Sequence, residues 1–350
     1  MNKKSSRLQE LTRYVDRHKQ GIEIAPFFNP AVPKSDGYNV LVLDISTTAE
    51  LRERAKTSDH IPNERIDEIE DVDIVGDASS LADLLKAAQI DDDIHYIVSS
   101  HNFEHLPNPI KFLQGCADVL PEGGIVSMAI PDYRACFDHF RFPTRLSDWM
   151  RAYRQDIDAP DPDTIFDYVL NKSTYQDSEG QHNSCSLQLS DPGLFVVDRR
   201  MGKAFDLYSE QLQPDPVYVD VHCTVSFGAT FELMVRDLAQ LGLLDLEVID
   251  VTETHAHEYF VHLRKTSTAG VAEDEYYQRR DALMKQIDRG LGPLAFDQVR
   301  SGRTPGYFER SKARGTLRQQ IGAMLLGEDR LARLRERNRQ RRTRRRLSRN

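Results

Sequence analysis

The stretch "YNVLVLDISTTAELRERAKTS", residues 38–58, joins the two patterns that decide the fold class. Its first eight residues are an apolar run with β-branched members, followed by polar residues, which is typical of a buried strand. Residues 48–58 repeat apolar positions at helical spacing. A strand followed directly by a helix is the repeating unit of parallel sheets.

The same succession recurs along the first half of the chain. Further strand patterns lie at 21–26, 71–77, 94–100 and 123–132, and further helix patterns at 79–89 and 108–120. A helix pattern at 226–243 and two strand patterns, 246–253 and 258–265, follow near the end of the domain, and the two strands are close enough to form a hairpin. The order predicts an α/β fold with helices on both faces of the sheet.

A polar segment, about 140–220, interrupts this pattern and is rich in Asp, Pro, Ser and Tyr, with helix patterns only at 145–155 and 163–172. We predict that it is an insertion that covers the cleft of the domain as a lid and selects the substrate. Residues 1–265 then form one domain, and residues 266–350 form a helical extension with an Arg-rich end.

Composition limits the class of protein. The 350 residues are 39% hydrophobic and 29% charged, which is typical of a globular chain. No run approaches the roughly 20 apolar residues that cross a bilayer, and the N-terminal segment lacks the apolar block of a secretory signal. The four cysteines form no C-x-x-C pair, which argues against a zinc ribbon or a disulfide framework. We expect a cytoplasmic protein with reduced thiols.

Charge is distributed unevenly. Eleven Arg and one Glu between Arg330 and Asn350 give this segment about +10, so the net charge of −9 leaves about −19 on the residues before it. An acidic body makes a broad nucleic-acid surface improbable there. The basic tail could contact an anionic membrane, a nucleic acid or an acidic protein, or it could be a solvated, frayed helix end.

Carboxylates lie at successive strand ends, which is where parallel sheets bind their ligands. Asp44 ends the second strand pattern and could hold a ribose by two hydroxyl-to-carboxylate hydrogen bonds. Asp77 ends the third strand pattern, and Glu23 lies in the first. Three carboxylates at one edge suit a ligand that carries hydroxyls and amines rather than phosphates.

The stretch "SSHNFEHLPNP", residues 99–109, contains H-x-x-E-H, which marks a class of zinc peptidase when it lies in a long helix. Here it follows a strand, and Pro107 and Pro109 start the next helix. We therefore expect no metal, although His101 and His105 could meet on one helical turn with Asp132 or His139 as a third ligand. Glu104 and His105 either organise the loop or cap the following helix.

In combination these features resemble class I S-adenosylmethionine-dependent methyltransferases of the small-molecule type (methyltransferase type 11-like). The resemblance rests on Glu23, Asp44, "GDA" at 76–78, "SHNFEH" at 100–105 and "LPEGG" at 120–124. It covers about residues 20–135, with a weaker similarity up to Lys265. It implies a Rossmann-like, doubly wound sheet of seven strands with the last strand antiparallel.

The resemblance also implies S-adenosyl-L-methionine as the cofactor. By position, its contacts would be Glu23, Ala25, Asn29, Asp44, Asp77, Ala78, Ser100 and His101. The family's first loop is usually glycine-rich, whereas this chain has "EIAPFFNPAVP" at 23–33, which excludes a phosphate-cradling loop. Ala25 is tolerable at the first of these positions if its φ is negative, and Pro26 and Pro30 could fix an alternative loop from which Asn29 reaches the cofactor. Loss of cofactor binding is the other possibility.

Candidates for chemistry follow the fourth and fifth strands. Methyl transfer from a sulfonium requires alignment, and a base only if the acceptor loses a proton. The candidate catalytic residues are His101, Asp132, His139 and His222. If residues 129–144 form a helix, Arg134 and Asp138 lie four apart on one face as an ordinary ion pair.

The leading hypothesis is S-adenosylmethionine-dependent methyl transfer to a hydroxyl of a polar small molecule or glycan. The first alternative is a non-catalytic methyltransferase-like module that binds a partner in polysaccharide assembly, which the altered first loop favours. The second is a metal-dependent hydrolase that uses the H-x-x-E-H stretch.

Overall fold

The computed structural model describes residues 3–58, 61, 63–90, 93–177, 180–182 and 195–291. The predicted Arg-rich end lies outside the described residues, so its predicted contacts with a membrane, a nucleic acid or an acidic protein stay predictions. Within the described residues, no helix combines the length and the apolar content that crossing a bilayer requires.

The strands, in chain order, are β1 (Gln20–Ile24), β2 (Val40–Asp44), β3 (Ile74–Val75), β4 (Ile94–Ser100), β5 (Ile125–Pro131), β6 (Ser173–Asp177), β7 (Gly180–His182), β8 (Phe195–Val197), β9 (Leu246–Val251) and β10 (Glu258–Lys265). The main sheet has seven strands in the order β3-β2-β1-β4-β5-β10-β9. Strands β1 to β5 are parallel, and β10 is antiparallel to both β5 and β9. The predicted seven-stranded α/β sheet with an antiparallel last strand is confirmed.

The helices are α1 (Lys3–Leu11), α2 (Thr48–Lys56), α3 (Leu81–Ala87), α4 (Pro109–Val119), α5 (Leu146–Arg154), α6 (Pro162–Asn171), α7 (Met201–Gln211), α8 (Gly228–Gln240) and α9 (Glu273–Leu291). Their starts follow local chemistry. Thr47 and Glu50 form a capping box at α2, and Asn108 accepts the Lys111 N–H ahead of Pro109 in the first turn of α4. The predicted role of Pro109 as a helix start is confirmed.

Alternating side chains bury both faces of the sheet. In β4, Ile97 joins the larger core, whereas Tyr96 and Val98 point to the opposite face. The larger core includes residues of α4 and α8, and the smaller one includes Leu11 of α1. Burying each such side chain contributes roughly 1.5–3 kcal/mol. A sheet covered on both faces exposes its ligand-binding groups only at strand ends.

The insertion contains more regular structure than the sequence pattern predicts. Besides the two predicted helices, it forms α7 and a three-stranded antiparallel sheet in the order β7-β6-β8. Strands β6 and β7 are short and polar, as in "STYQD" of β6, and the apolar β8, "FVV", is only three residues long. None of them shows the apolar alternation that identifies a strand from sequence.

Residues through Gly290 form one compact unit. Within it, α9 packs against α8: Arg279 donates to Glu232, and the Tyr276 hydroxyl donates to Asp237 at 2.8 Å. Leu283 joins a cluster with Phe227 and Tyr133. The predicted domain division at residue 265 stays a prediction.

Candidate functional site

The order of strands reverses between β1 and β4, which lie side by side in the sheet. In open α/β sheets the ligand crevice lies at the carboxyl ends of the strands at such a point. Three non-glycine residues directly after these two strands have left-handed backbones: Ala25 (φ 49°), Phe27 (φ 47°) and His101 (φ 52°). Such conformations cost about 1–3 kcal/mol each and concentrate at functional sites.

The condition under which the sequence makes Ala25 tolerable in this loop, a negative φ, is not met, because its φ is 49°. Ala25 still donates its N–H to Leu43 as part of the strand ladder, but the chain then turns back sharply. Glu23 requires this turn because its carboxylate accepts the N–H groups of Ala31 at 2.6 Å and Val32 at 3.3 Å. The loop is therefore held by a buried side chain from the strand that precedes it.

Glu23 acts on the loop rather than facing an open crevice. It is 2% exposed, and burial raises its pKa to about 7, although the two backbone hydrogen bonds lower it. Asn29, which was predicted to reach the cofactor, accepts a hydrogen bond from Arg65 at 3.3 Å. The roles of both residues as cofactor contacts stay predictions.

Asp44 and Asp77 lie where the sequence placed them, at the ends of β2 and β3. Asp44 is buried, and burial raises its pKa; its Oδ1 accepts the Ser46 N–H at 2.9 Å. Asp77 is exposed and accepts the Ser79 N–H at 2.7 Å, which caps a short 3-10 helix that begins at the buried Ala78. Each carboxylate thus shapes its own loop.

The end of β4 carries a charged network that closes around Glu258. Arg7 donates from Nε and Nη2 to the two oxygens of Glu258, at 2.6 and 2.8 Å, and from Nη2 to the Ser100 hydroxyl at 2.8 Å. His101 Nε2 lies 2.9 Å from Glu258 Oε2. Ser100 and His101, both predicted cofactor contacts, are therefore tied to β10 and α1.

This network sets opposite pKa shifts on its members. Burial lowers the pKa of His101, but hydrogen bonds to Glu104 and Glu258 outweigh it and raise the pKa to about 9. Burial raises the pKa of Glu258, but His101 and Arg7 outweigh it and hold the pKa at about 2. A positive His101 beside a negative Glu258 is the stable state at neutral pH.

As the sequence predicts, the H-x-x-E-H stretch lies outside any long helix. Its second half, Phe103–His105, is a single 3-10 turn. Glu104 is 1% exposed, and its backbone carbonyl accepts the N–H groups of Cys223 and Thr224. His105 Nδ1 lies 2.8 Å from Asp220 Oδ1. The stretch is thus joined to the segment just before α8.

Asp132 and His139 do not join the histidines. The carboxylate of Asp132 accepts hydrogen bonds from Arg134 Nε at 2.9 Å and Nη2 at 2.6 Å and from the Thr254 hydroxyl. His139 Nδ1 donates to the Arg134 carbonyl, and its ring stacks on Phe195 at 4.0 Å between centroids. Neither residue is brought beside His101 and His105 as the third metal ligand that the sequence left possible. Their catalytic roles stay predictions.

The predicted pairing of Arg134 with Asp138 is also wrong, because residues 133–135 form only one 3-10 turn and the two side chains find other partners. Asp138 is buried and lies 2.9 Å from Arg141 Nη1 and 2.5 Å from His222 Nδ1. Burial raises its pKa, but the neighbouring His222 and Arg141 outweigh it and hold the pKa at about 2.

A cavity of about 320 Å³ opens at the ends of β4 and β5. It is lined by His101, Glu104, His105, Pro131, Cys136, Phe137, Tyr168, Asp220 and His222. Two predicted catalytic residues, His101 and His222, are therefore brought together here. Sequence reasoning missed Asp220 and the supporting pair Arg7 and Glu258, although a carboxylate at the start of the apolar β10 was a usable signal.

Comparisons with known proteins give low similarity throughout. No family model and no curated protein matches the chain. Among solved structures, it is similar to the glycopeptide N-methyltransferase MtfA complexed with S-adenosyl-L-methionine, at 14% identity and a TM-score of 0.37, over 75% of this chain and 87% of that one.

Two further similar structures are S-adenosylmethionine-dependent methyltransferases. One, from Clostridium acetobutylicum, has 12% identity and a TM-score of 0.35, over 76% of this chain and 99% of its own. The other, from Methanosarcina mazei, has 14% identity and a TM-score of 0.34, over 73% and 96%. Likeness at this level does not determine an activity or a ligand.

Proposed function

We propose that this chain is an S-adenosylmethionine-dependent methyltransferase that acts on a hydroxyl of a polar small molecule or saccharide. The observation that carries the proposal is the composition of the crevice at the strand-order reversal. A buried carboxylate, Asp44, ends β2, and no α-helix follows β1 in the described residues 25–39.

This arrangement favours a nucleoside with free hydroxyls over a dinucleotide. Dinucleotide sites place the pyrophosphate on the N-terminus of the helix that follows the first strand. Here a strained loop with Ala25 and Phe27 in left-handed conformations takes that place. A carboxylate at the end of β2 suits the two hydroxyls of a ribose, to which it can accept two charge-assisted hydrogen bonds.

The neighbouring cavity supports a polar acceptor. Its polar lining includes imidazoles, carboxylates and the Tyr168 side chain, which suit hydroxyl groups better than a flat apolar ligand. When bound, the cofactor supplies a methyl group on a sulfonium, and transfer to a hydroxyl oxygen releases a thioether and a proton. The chain's own contribution is alignment of the two ligands, which is the main requirement of such a displacement.

The test is calorimetric titration of the full chain with S-adenosylmethionine and S-adenosylhomocysteine, followed by methyl-transfer assays on hydroxylated acceptors. We expect Asp44→Ala to weaken cofactor binding by about 2 kcal/mol or more, roughly 30-fold, because it removes a charge-assisted contact. The matched control is Asp36→Ala, because Asp36 is exposed and precedes β2, at the other end of the strand.

The outcomes separate the alternatives. Binding with Asp44 dependence but no transfer to any acceptor would favour the non-catalytic module. No binding by the folded wild-type chain would refute the cofactor assignment. Asp44→Ala and Asp36→Ala could also bind S-adenosylmethionine with equal affinity while the fluorescence of the buried Trp149 reports a native fold. That result would show that Asp44 does not contact the cofactor.

A further inference from the structure

Three imidazoles surround one carboxylate oxygen in the cavity at the ends of β4 and β5. Glu104 Oε1 lies 3.5 Å from His101 Nδ1, 3.9 Å from His105 Nε2 and 4.0 Å from His222 Nε2. The last two distances are too long for hydrogen bonds. The other oxygen, Oε2, is buried and has no hydrogen-bond partner among the described residues. A buried carboxylate in this state lacks its usual compensation.

Both His105 and His222 are oriented by a second carboxylate. Asp220 lies 2.8 Å from His105 Nδ1, and Asp138 lies 2.5 Å from His222 Nδ1. A carboxylate on Nδ1 favours the tautomer that carries its proton there, so the lone pair is on Nε2, the nitrogen nearest Glu104. A histidine that binds a metal is held in the same way by a carboxylate on its other nitrogen.

The spacing of the three atoms fits one ion. The ligand atoms of Glu104, His105 and His222 all lie within 4.8 Å of one another. With metal-ligand bonds of about 2.0–2.2 Å, the ligand atoms of a tetrahedral site are about 3.4 Å apart. Small side-chain rotations would therefore bring these three atoms to the spacing that one ion requires. The remaining coordination positions would face the cavity of about 320 Å³.

We propose that Glu104, His105 and His222 bind one divalent first-row transition metal ion, of which Zn²⁺ is the reference case. Two imidazoles and one carboxylate with open positions form a recognised donor set for catalytic zinc and for non-haem iron. This set differs from the one that the H-x-x-E-H stretch suggested, because His101 turns its Nε2 to Glu258 and His222 takes its place.

Two other clusters of possible ligands are less suitable because their carboxylates already have cationic partners. In the cluster of Glu10, Asp250 and His262, Arg13 lies 3.1 Å from Glu10 and 2.8 Å from Asp250. In the cluster of His101, His257 and Glu258, Arg7 occupies both oxygens of Glu258. Within the described residues, Glu104 is bonded to no Arg or Lys.

A metal at this position would hold an oxygen of a polar ligand and lower the pKa of its hydroxyl. That role rests on the proposed function, whereas the binding site itself does not. Metal and cofactor binding are therefore measured separately. Metal uptake without cofactor binding would refute the proposed methyltransferase function and support the metal site. Cofactor binding without metal uptake would support the proposed function and refute the metal site.

The experiment uses the full chain, stripped with a chelator and titrated with Zn²⁺ by calorimetry, with metal analysis of the dialysed product. We expect one equivalent bound with a Kd of about 1 µM or tighter. Co²⁺ in place of Zn²⁺ should give visible absorption bands of a four- or five-coordinate site. Anaerobic preference for Fe²⁺ would support the same site with iron as its metal.

Variants locate the ion. His105→Gln and Glu104→Gln should each lower the affinity at least 100-fold, and Asp220→Asn, which acts through His105, by about 10- to 100-fold. The matched control is His95→Gln, because His95 also pairs with an aspartate, Asp93 at 2.8 Å, but lies at the opposite end of β4. The control should bind as the wild type does.

Uptake well below one equivalent, or equal affinities for His105→Gln and His95→Gln, would overturn the proposal. Glu104 is buried, so its variant could fail to fold. The His105 side chain is 32% exposed, and its variant then decides the question alone. Far-ultraviolet circular dichroism of every variant distinguishes loss of the ion from loss of the fold.

Discussion

The two halves of the carboxyl edge of the sheet use their carboxylates differently. At the ends of β1 to β3, carboxylates accept backbone N–H groups nearby in sequence: Asp44 from Ser46 and Asp77 from Ser79. Around the ends of β4 and β5 and the start of β10, carboxylates also pair with side chains far along the chain, as Asp138 does with His222 and Glu258 with His101, although Asp132 also pairs with the nearby Arg134. The first half is built from local turns, whereas the second adds tertiary contacts.

The difference appears in the pKa of equally buried groups. Glu23 and Glu258 are each 2% exposed, yet the pKa of Glu23 is raised to about 7 and that of Glu258 is lowered to about 2. Burial opposes the charge in both cases. The sign is decided by cations, because Arg7 and His101 contact Glu258, whereas the hydrogen bonds that Glu23 accepts from the described part of the chain come from backbone amides.

The largest effect is expected where a tertiary pair is broken. Asp138→Ala leaves the Arg141 guanidinium, 3% exposed, with Asp167 as its remaining carboxylate. We expect a loss of about 3–5 kcal/mol in the free energy of unfolding, measured by denaturant titration with Trp149 fluorescence. Asp71→Ala, which removes an exposed pair with Arg52, is the control and should change nothing measurable. A loss below about 1 kcal/mol for Asp138→Ala would mean that Asp167 suffices.

Glu258→Gln tests the tertiary pairs at the second half of the carboxyl edge, through the pH dependence of the free energy of unfolding. Because the folded pKa of Glu258 is about 2, below its ordinary value of 4.5, its charge stabilises the fold above pH 4.5. This contribution is lost as the pH falls toward 2. We expect the wild type to exceed the variant by up to about 3 kcal/mol at pH 7, with the gap narrowing below pH 4.5. A gap that does not vary with pH would show that packing, and not charge, is lost.

Glu23→Gln should give the opposite sign. The folded pKa of Glu23, about 7, lies above its ordinary value of 4.5, so the wild type loses stability relative to the variant as the pH rises from 4.5 to 7. The change is at most about 3 kcal/mol. Unfolding titrations across this range check it. A wild type that gains stability over the same range would show that the Ala31 and Val32 amides outweigh burial.

The smallest effect is expected for a local turn in the first half. Asp77→Ala removes the cap on the Ser79 N–H and should cost about 1 kcal/mol of unfolding free energy. Asp118→Ala, at an exposed position within α4, should leave stability unchanged or slightly raised, because Ala favours helices. Thermal unfolding of both variants makes the comparison. Equal thermal unfolding midpoints for the two variants would show that Asp77 does not stabilise the fold as a cap.

Much of the main sheet could be predicted from sequence. The predicted strand at 94–100 matches β4 residue for residue, and the predicted helix at 108–120 brackets α4. Asp44 and Asp77 were placed correctly because strand ends follow from where an apolar run stops. Strands β6 to β8 were missed because β6 and β7 are polar and the apolar β8 is too short, at three residues, to show a pattern.

The sequence by itself determined the strand and helix periods of the main sheet and therefore its parallel part, because those depend on neighbouring residues, whereas the antiparallel last strand was implied by the family resemblance. Only the tertiary structure decided that Ala25 turns left-handed over Glu23, and that Glu104, His105 and His222 meet. In the second case His222 meets two residues that lie more than 100 positions before it in the chain. No local pattern encodes this meeting, because the contact exists only once the sheet and the insertion have packed.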